Sequence, residues 1–162
     1  MPLSMFNPNT LSEAEIDQYS FTHHIASGLD ALGWSTVMVN QVRDGWPEYS
    51  EIAVPGVYVS IRSSTPAGFE LGSHGKSRAV EIAIYGENDA QRIRLAETIE
   101  NIIRGEVPIY NFITGNEDSP TIDDYFVTDD VGWDKIPSLS ITPVKQRYRS
   151  IVSATVRRVV DA

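Results

Sequence analysis

Residues 78–105 read RAVEIAIYGENDAQRIRLAETIENIIRG: a strand, a tight turn and an amphipathic helix in one run. Val80, Ile82 and Ile84 alternate with Glu81, Ala83 and Tyr85, the period-two pattern of a strand with one well-buried face. Gly86, Asn88 and Asp89 break that pattern, and Asn88 or Asp89 supplies a helix N-cap. Ile93, Ala96, Ile99, Ile102 and Ile103 then share a helical face, with Arg92, Arg94, Glu97, Glu100 and Asn101 largely on the others. Gly105 stands where a helix stops in a left-handed conformation. The unit forms half of a core and carries no evident chemistry.

Upstream, residues 1–10, with Pro2, Asn7, Pro8 and Asn9, read as an irregular arm. A helix follows. Ser12 and Glu15 fit a capping box, and Leu11 with Ile16 fits a hydrophobic staple. Ile16, Tyr19, His23, Ala26, Leu29 and Leu32 recur at helical spacing until Gly33. The alternation from Trp34 to Val42 predicts a strand, and Asp44-Gly45-Trp46-Pro47 a turn. Val57 to Arg62 is a clearer strand, with Val57, Val59 and Ile61 on one face. Residues 64–77 carry Pro66, Gly68, Gly72 and Gly75 and read as an extended loop or hairpin arm.

Beyond Gly105 the pattern predicts a short strand from Val107 to Phe112 broken by Pro108, a polar loop from Thr114 to Pro120, and brief pairing at Tyr125 to Val127. Pro137 and Pro143 bound an irregular stretch. Gln146 to Val160 is rich in β-branched residues and reads as one long strand, with Val152, Ala154, Val156 and Arg158 on one face. The order of elements predicts one α+β domain over residues 1–162: a mainly antiparallel or mixed sheet with two helices on one face and an extended hairpin arm.

Composition narrows the function classes. The 162 residues suffice for a domain with a real core, and 41% hydrophobic residues describe a globular chain. No apolar run reaches the roughly 20 residues of a membrane helix, and the first residues lack the charge and apolar pattern of a signal peptide. There is no cysteine, which excludes disulfides, thiolate catalysis and cysteine zinc sites. A net charge of -9 disfavours a protein whose task is to grip nucleic acid. The charge is uneven: Glu106 to Asp134 contains no Lys or Arg, whereas Lys145, Arg147, Arg149, Arg157 and Arg158 make the end basic. Such opposed patches either face solvent or suit self-association.

The candidate chemistries each lack a part. Gly75-Lys76-Ser77 ends like a phosphate-binding P-loop, but Glu70 occupies the place of the first glycine and a strand follows instead of a helix. His23 and His24 are adjacent, so on a helix they point about 100° apart and do not form a zinc pair. Their plainer reading puts His23 on the apolar face and His24 on the surface. Asp123-Asp124 and Asp129-Asp130 lack the EF-hand spacing and read as an acidic solvated loop. No G-x-S-x-G elbow is present. No enzyme, cofactor or metal is expected on these grounds. Tyr110, Phe112, Tyr125, Phe126 and Trp133 sit among carboxylates, which favours core or interface packing over base stacking.

Taken together, the N-terminal helix LSEAEIDQYSFTHHIASGLDAL, the strand PGVYVSIRS, the glycine-rich GFELGSHGKSR, the strand-to-helix unit VEIAIYGENDAQRIRLAETIENIIRG and the closing strand RYRSIVSATVRRV resemble the tail-terminator (tail-completion) proteins of tailed bacteriophages. The resemblance is one of pattern over Leu11 to Val160. It implies a virion protein of the tail or neck, assembled in the host cytoplasm. The implied assembly is a homo-oligomeric ring, usually a hexamer, that caps the tail tube protein and meets the head-completion or connector protein. Double-stranded DNA would pass unbound through its lumen, and neither catalysis, cofactor nor membrane is implied. An anionic lumen would repel phosphate and leave DNA free to slide. Phe69, Leu71, His74, Lys76 and Arg78, on and beside the glycine-flanked arm, are the candidate contacts to a neighbouring subunit or the tube, because an exposed Phe-Leu pair calls for a covering partner. Another ring component of the neck or tail, such as a head-completion stopper or tube protein, or a small α+β ligand-binding protein or enzyme, are the alternatives.

Overall fold

The computed structural model describes residues 11–66, 76–112, 120–139 and 141–158. The elements run α1 (Glu13–Ala31), α2 (Thr36–Val39), β1 (Val42–Asp44), β2 (Gly56–Pro66), β3 (Lys76–Gly86), α3 (Asp89–Ile103), β4 (Glu106–Asn111), β5 (Thr121–Ile136) and β6 (Tyr148–Arg158). The six strands form one curled mixed sheet in the order β1-β2-β3-β6-β5-β4, and the α+β class expected from the element order holds. Among the described residues only the β1–β2 pair is parallel. The long closing strand β6 lies inside the sheet, between β3 and β5.

The opening stretch folds as its pattern dictates. Val80, Ile82 and Ile84 are fully buried, and β3 pairs with β2 on one side and β6 on the other. Asn88 is the N-cap of α3, its side chain accepting from Gln91 N at 2.8 Å. Gly105 takes φ +90, a conformation that would strain a residue with a Cβ. Thr128 of β5 closes this end: its hydroxyl donates to the carbonyl of Ile103 (2.7 Å) and its backbone N–H to that of Gly105 (2.9 Å), satisfying acceptors that a helix C-terminus leaves open. The buried face of α3 is Leu95, Ala96, Ile99 and Ile103, while Ile93 and Ile102 are only partly covered. It packs on β3, β5 and β6.

Helix α1 begins with the expected capping box: Ser12 Oγ accepts from Glu15 N at 3.2 Å and Glu15 Oε1 accepts from Ser12 N at 3.3 Å. Its buried side holds Tyr19 and Leu29 as expected but is wider than the expected stripe. Phe21, Ile25 and Leu29 are wholly buried, with Asp17, Ser20 and Thr22, whereas Leu32 is 64% exposed. The cause is the curl of the sheet, which brings both edges onto this helix. On the β1–β2 edge, Gln18 Nε2 donates to Val59 O (2.6 Å) and to Asp44 Oδ1 (3.0 Å), and its Oε1 accepts from Ile61 N (2.8 Å). β1 ends at Asp44, so the Gln18 amide supplies the backbone of β2 with partners beyond the short edge strand. On the far edge, Ser20 Oγ accepts from Tyr110 N of β4 at 3.0 Å. A helix enclosed on two sides carries polar groups where it meets strand edges, and an apolar stripe alone does not describe it.

Where α1 crosses α3, a Cβ on Gly28 would lie 2.9 Å from Ile102 Cγ2, so the glycine permits the close approach. Beside it His24 Nε2 donates to Ile102 O at 3.0 Å; this histidine is half-buried between the helices and not on the surface as the sequence reading had it. Burial lowers its pKa, against the raising effect of that hydrogen bond.

Three other expectations change. Trp34 to Val42 is not a strand: Ser35 starts the short helix α2, its Oγ accepting from Met38 N at 3.2 Å, and Met38 is buried. The acidic region is not a loop around a brief pairing. It is β5, a strand of 16 residues, with Asp123, Asp124, Asp129, Asp130 and Asp134 exposed along it. A bulge between Asp129 and Gly132, with Asp130 at φ +53, lets the strand follow the curl. Pro108 does not break β4. That strand lies at the sheet edge and pairs only with β5, where a missing N–H is tolerated. The expected irregular arm of residues 1–10, and most of the polar loop before Pro120, lie outside the described residues.

The core between sheet and helices joins Phe21, Ile25 and Leu29 to Val57, Val59, Val80, Ile82, Ile84, Val152, Val156 and Phe126. A smaller cluster on the opposite face, Tyr58, Ala83 and Tyr85, is covered by Ile52 and Val54. Tyr58 Oη donates to Glu51 O (3.1 Å) and accepts from Ala53 N (2.9 Å), tying this cover down.

Candidate interaction surface

The hairpin expected at residues 64–77 is laddered: β2 and β3 remain paired through Ser64↔Arg78 and Thr65↔Ser77 to Pro66↔Lys76. The register shifts between Ile61 and Ser64, while β3 stays paired to β6 as far as Ser77↔Arg157. Phe69, Leu71 and His74 lie outside the described residues, and Lys76 contributes its backbone to the ladder. Lys76 and Ser77 open a strand, which is not the helix a P-loop requires.

Arg78 does something else. Its side chain is buried at the root of the hairpin, where Nε donates to Asp17 Oδ2 at 2.8 Å and Nη2 to Glu13 Oε1 at 3.3 Å. Arg158, at the end of β6, donates from Nη2 to Asp17 Oδ1 at 2.6 Å and lies 5.8 Å from the Phe126 ring centroid. Asp17 is 1% exposed, and each of its oxygens receives one guanidinium. The cluster joins α1, β3 and β6 where the hairpin begins. As a contact to a partner Arg78 is therefore already engaged within the subunit. Burial raises the Asp17 pKa; the Arg158 hydrogen bond and the charges of Arg158 and Arg78 act in the opposite direction.

Asp44 forms a second polar site, its Oδ1 accepting from Gln18 Nε2 and from the Thr22 hydroxyl. Burial raises its pKa too, against those two hydrogen bonds. A carboxyl whose folded pKa lies above its unfolded value near 3.8 favours folding while protonated and loses that contribution as pH rises through the folded pKa. Asp44→Asn keeps an oxygen for both donors and removes the charge. Its stability relative to wild type should therefore rise with pH from about 4 through the raised pKa, then level off. Urea denaturation of both proteins across that range checks it, and a pH-independent difference would remove Asp44 from this account.

Among the described residues no three His, Asp or Glu side chains are placed to hold a metal, and no helix is long and apolar enough to cross a membrane. Open clefts lie among the described residues. One of about 270 Å³ lies by the start of α1, between Leu11, Ile109, Phe112, Asp123, Asp124 and Arg158. Another, about 350 Å³, is lined by Val54, Glu87, Val144, Lys145, Arg147 and Tyr148.

The sequence reading missed the segment beside that second cleft. Between β5 and β6, Leu139, Ile141 and Val144 are strongly exposed. The apolar residues between Pro137 and Pro143 were a signal, hidden because a proline-bounded stretch reads as filler. No family model matches the chain, and no curated protein matches it by sequence.

Proposed function

We propose that this chain is a ring-forming structural protein of a tailed bacteriophage, one that terminates the tail tube and joins it to the head connector. The subunit is a wedge of one curled sheet closed by α1 and α3. Its function is geometric: to present fixed surfaces to copies of itself and to the tube. The observation that carries the reading is the β2–β3 hairpin, which stays paired to Pro66↔Lys76 and joins its strands through the glycine-flanked segment bearing Phe69 and Leu71. The Asp17, Arg78 and Arg158 cluster anchors that hairpin at its base, so an arm contacting a partner would be held at a set angle. The exposed Asp130 and Asp134 of β5 suit a wall past which DNA slides.

Replacing Phe69 and Leu71 together by Ser tests this reading. The variant should keep the wild-type melting temperature and fail to form rings or to cap isolated tail tubes. Wild-type capping by the double variant would take the arm out of the mechanism.

A further inference from the structure

We infer that subunits join head to tail, with the apolar and basic β5–β6 connection of one copy seated on the apolar and acidic start of β5 in the next. This names the self-interface of the ring-forming reading and rests on it. The first surface is Leu139 (69% exposed), Ile141 (85%) and Val144 (73%), with Arg147 exposed and Lys145 held over the Tyr49 ring at 5.3 Å. Residues 137–147 contain no Asp or Glu; the nearby carboxylates are Glu87 in the adjoining cleft and Glu48 and Glu51 beside Tyr49. The second surface is Ile122 (48% exposed) and Tyr125 (41%), flanked by Asp123 and Asp124. Asp123 is the bulged residue here: Asp124 pairs with Ile109 and Ile122 with Tyr110, leaving Asp123 outside the ladder.

Three observations select a second copy as the occupant. Each surface puts large apolar side chains into solvent, which favours coverage. Their charges are opposite, so one surface complements the other and repels itself. They also lie towards opposite ends of β5, separated by roughly 35 Å of strand, so they cannot meet within one subunit. A contact between different surfaces of identical chains is heterologous, and it closes into a ring when the rotation between neighbours allows. A two-fold dimer through either surface would set like charges against each other.

The absence of cysteine makes the test clean. Ile122→Cys and Ile141→Cys are prepared separately in the full chain, one with a size tag, and oxidised with copper–phenanthroline alone and mixed. Disulfide dimers should form in the mixture, all of them pairing tagged with untagged chains, with neither variant dimerising alone. Pairings of Tyr125→Cys with Leu139→Cys or Val144→Cys sample neighbouring geometries. Charge reversal provides an independent reading: Asp123→Lys with Asp124→Lys, or Lys145→Glu with Arg147→Glu, should each cut the cross-linking rate at least about tenfold, and the two reversed partners mixed should recover it. Like-with-like dimers, or no dimers from any pairing, overturn the assignment. If the unmodified chain forms rings in that case, the ring reading survives without this interface. If it is monomeric and also ignores tail tubes, both fall.

Discussion

Asp17→Ala is expected to cost about 3–5 kcal/mol of folding stability, because removing one partner of a buried charge cluster strands the others. Arg78 is buried, and after the substitution it keeps only Glu13, whose side chain is nearly half exposed. Arg158 loses its 2.6 Å contact and retains Glu13 at 4.0 Å and the face of Phe126. The cost measures abandonment, not the worth of the ion pair: taking two charges from water offsets most of their attraction. Replacing Asp17 by Leu and Arg78 by Met together should therefore recover most of the loss. Urea unfolding of Asp17→Leu, Arg78→Met and the double variant, read as a cycle, measures the coupling. A single-variant cost below about 1 kcal/mol would place the cluster with ordinary surface pairs.

Phe21→Ala should cost about 3–5 kcal/mol, the range for emptying an aromatic site in a closed core. Phe21 is fully buried, its ring 5.4 Å from that of Phe126, in the core that both helices share with the sheet. The curl leaves little room for collapse, because α1 is hydrogen-bonded to strands on both sides through Gln18 and Ser20. Leu32→Ala, on the face the sequence pattern favoured, should fall within about 0.5 kcal/mol of wild type, as surface changes do. Equal costs at the two positions would contradict the enclosed geometry.

That contrast shows what the chain's pattern could reveal. Most of the β3–α3 unit was legible, because Val80, Ile82 and Ile84 and then Ala96, Ile99 and Ile103 are buried at the spacing the pattern shows; the burial of Ala83 and Tyr85 on the other face of β3, and of Leu95, was not. Both helix N-caps and the long β6 strand were legible for similarly local reasons. Helix α1 was not. Asp17 lies one helical turn before Phe21 on the buried side, and a carboxylate reads as solvent-facing unless its partners Arg78 and Arg158 are known. The acidic β5 strand was hidden likewise, since exposed aspartates in adjacent pairs break the alternation of a strand and imitate a loop. As for the candidate contacts, Arg78 reads as an arm residue by position, and its side chain is buried against Asp17. Leu139, Ile141 and Val144 carried an apolar signal without periodicity, and their exposure belongs to the fold.

The ring is the claim on which the functional reading stands. The purified chain's mass should be measured by light scattering over a dilution series, alone and with isolated tail tubes, with negative-stain images of the same fractions. The proposal expects closed rings with a central hole, free or seated at one end of each tube, stopping at one ring or a pair. Filaments of stacked rings would point to a tube protein. A monomer at every concentration that leaves the tubes bare would contradict the proposal.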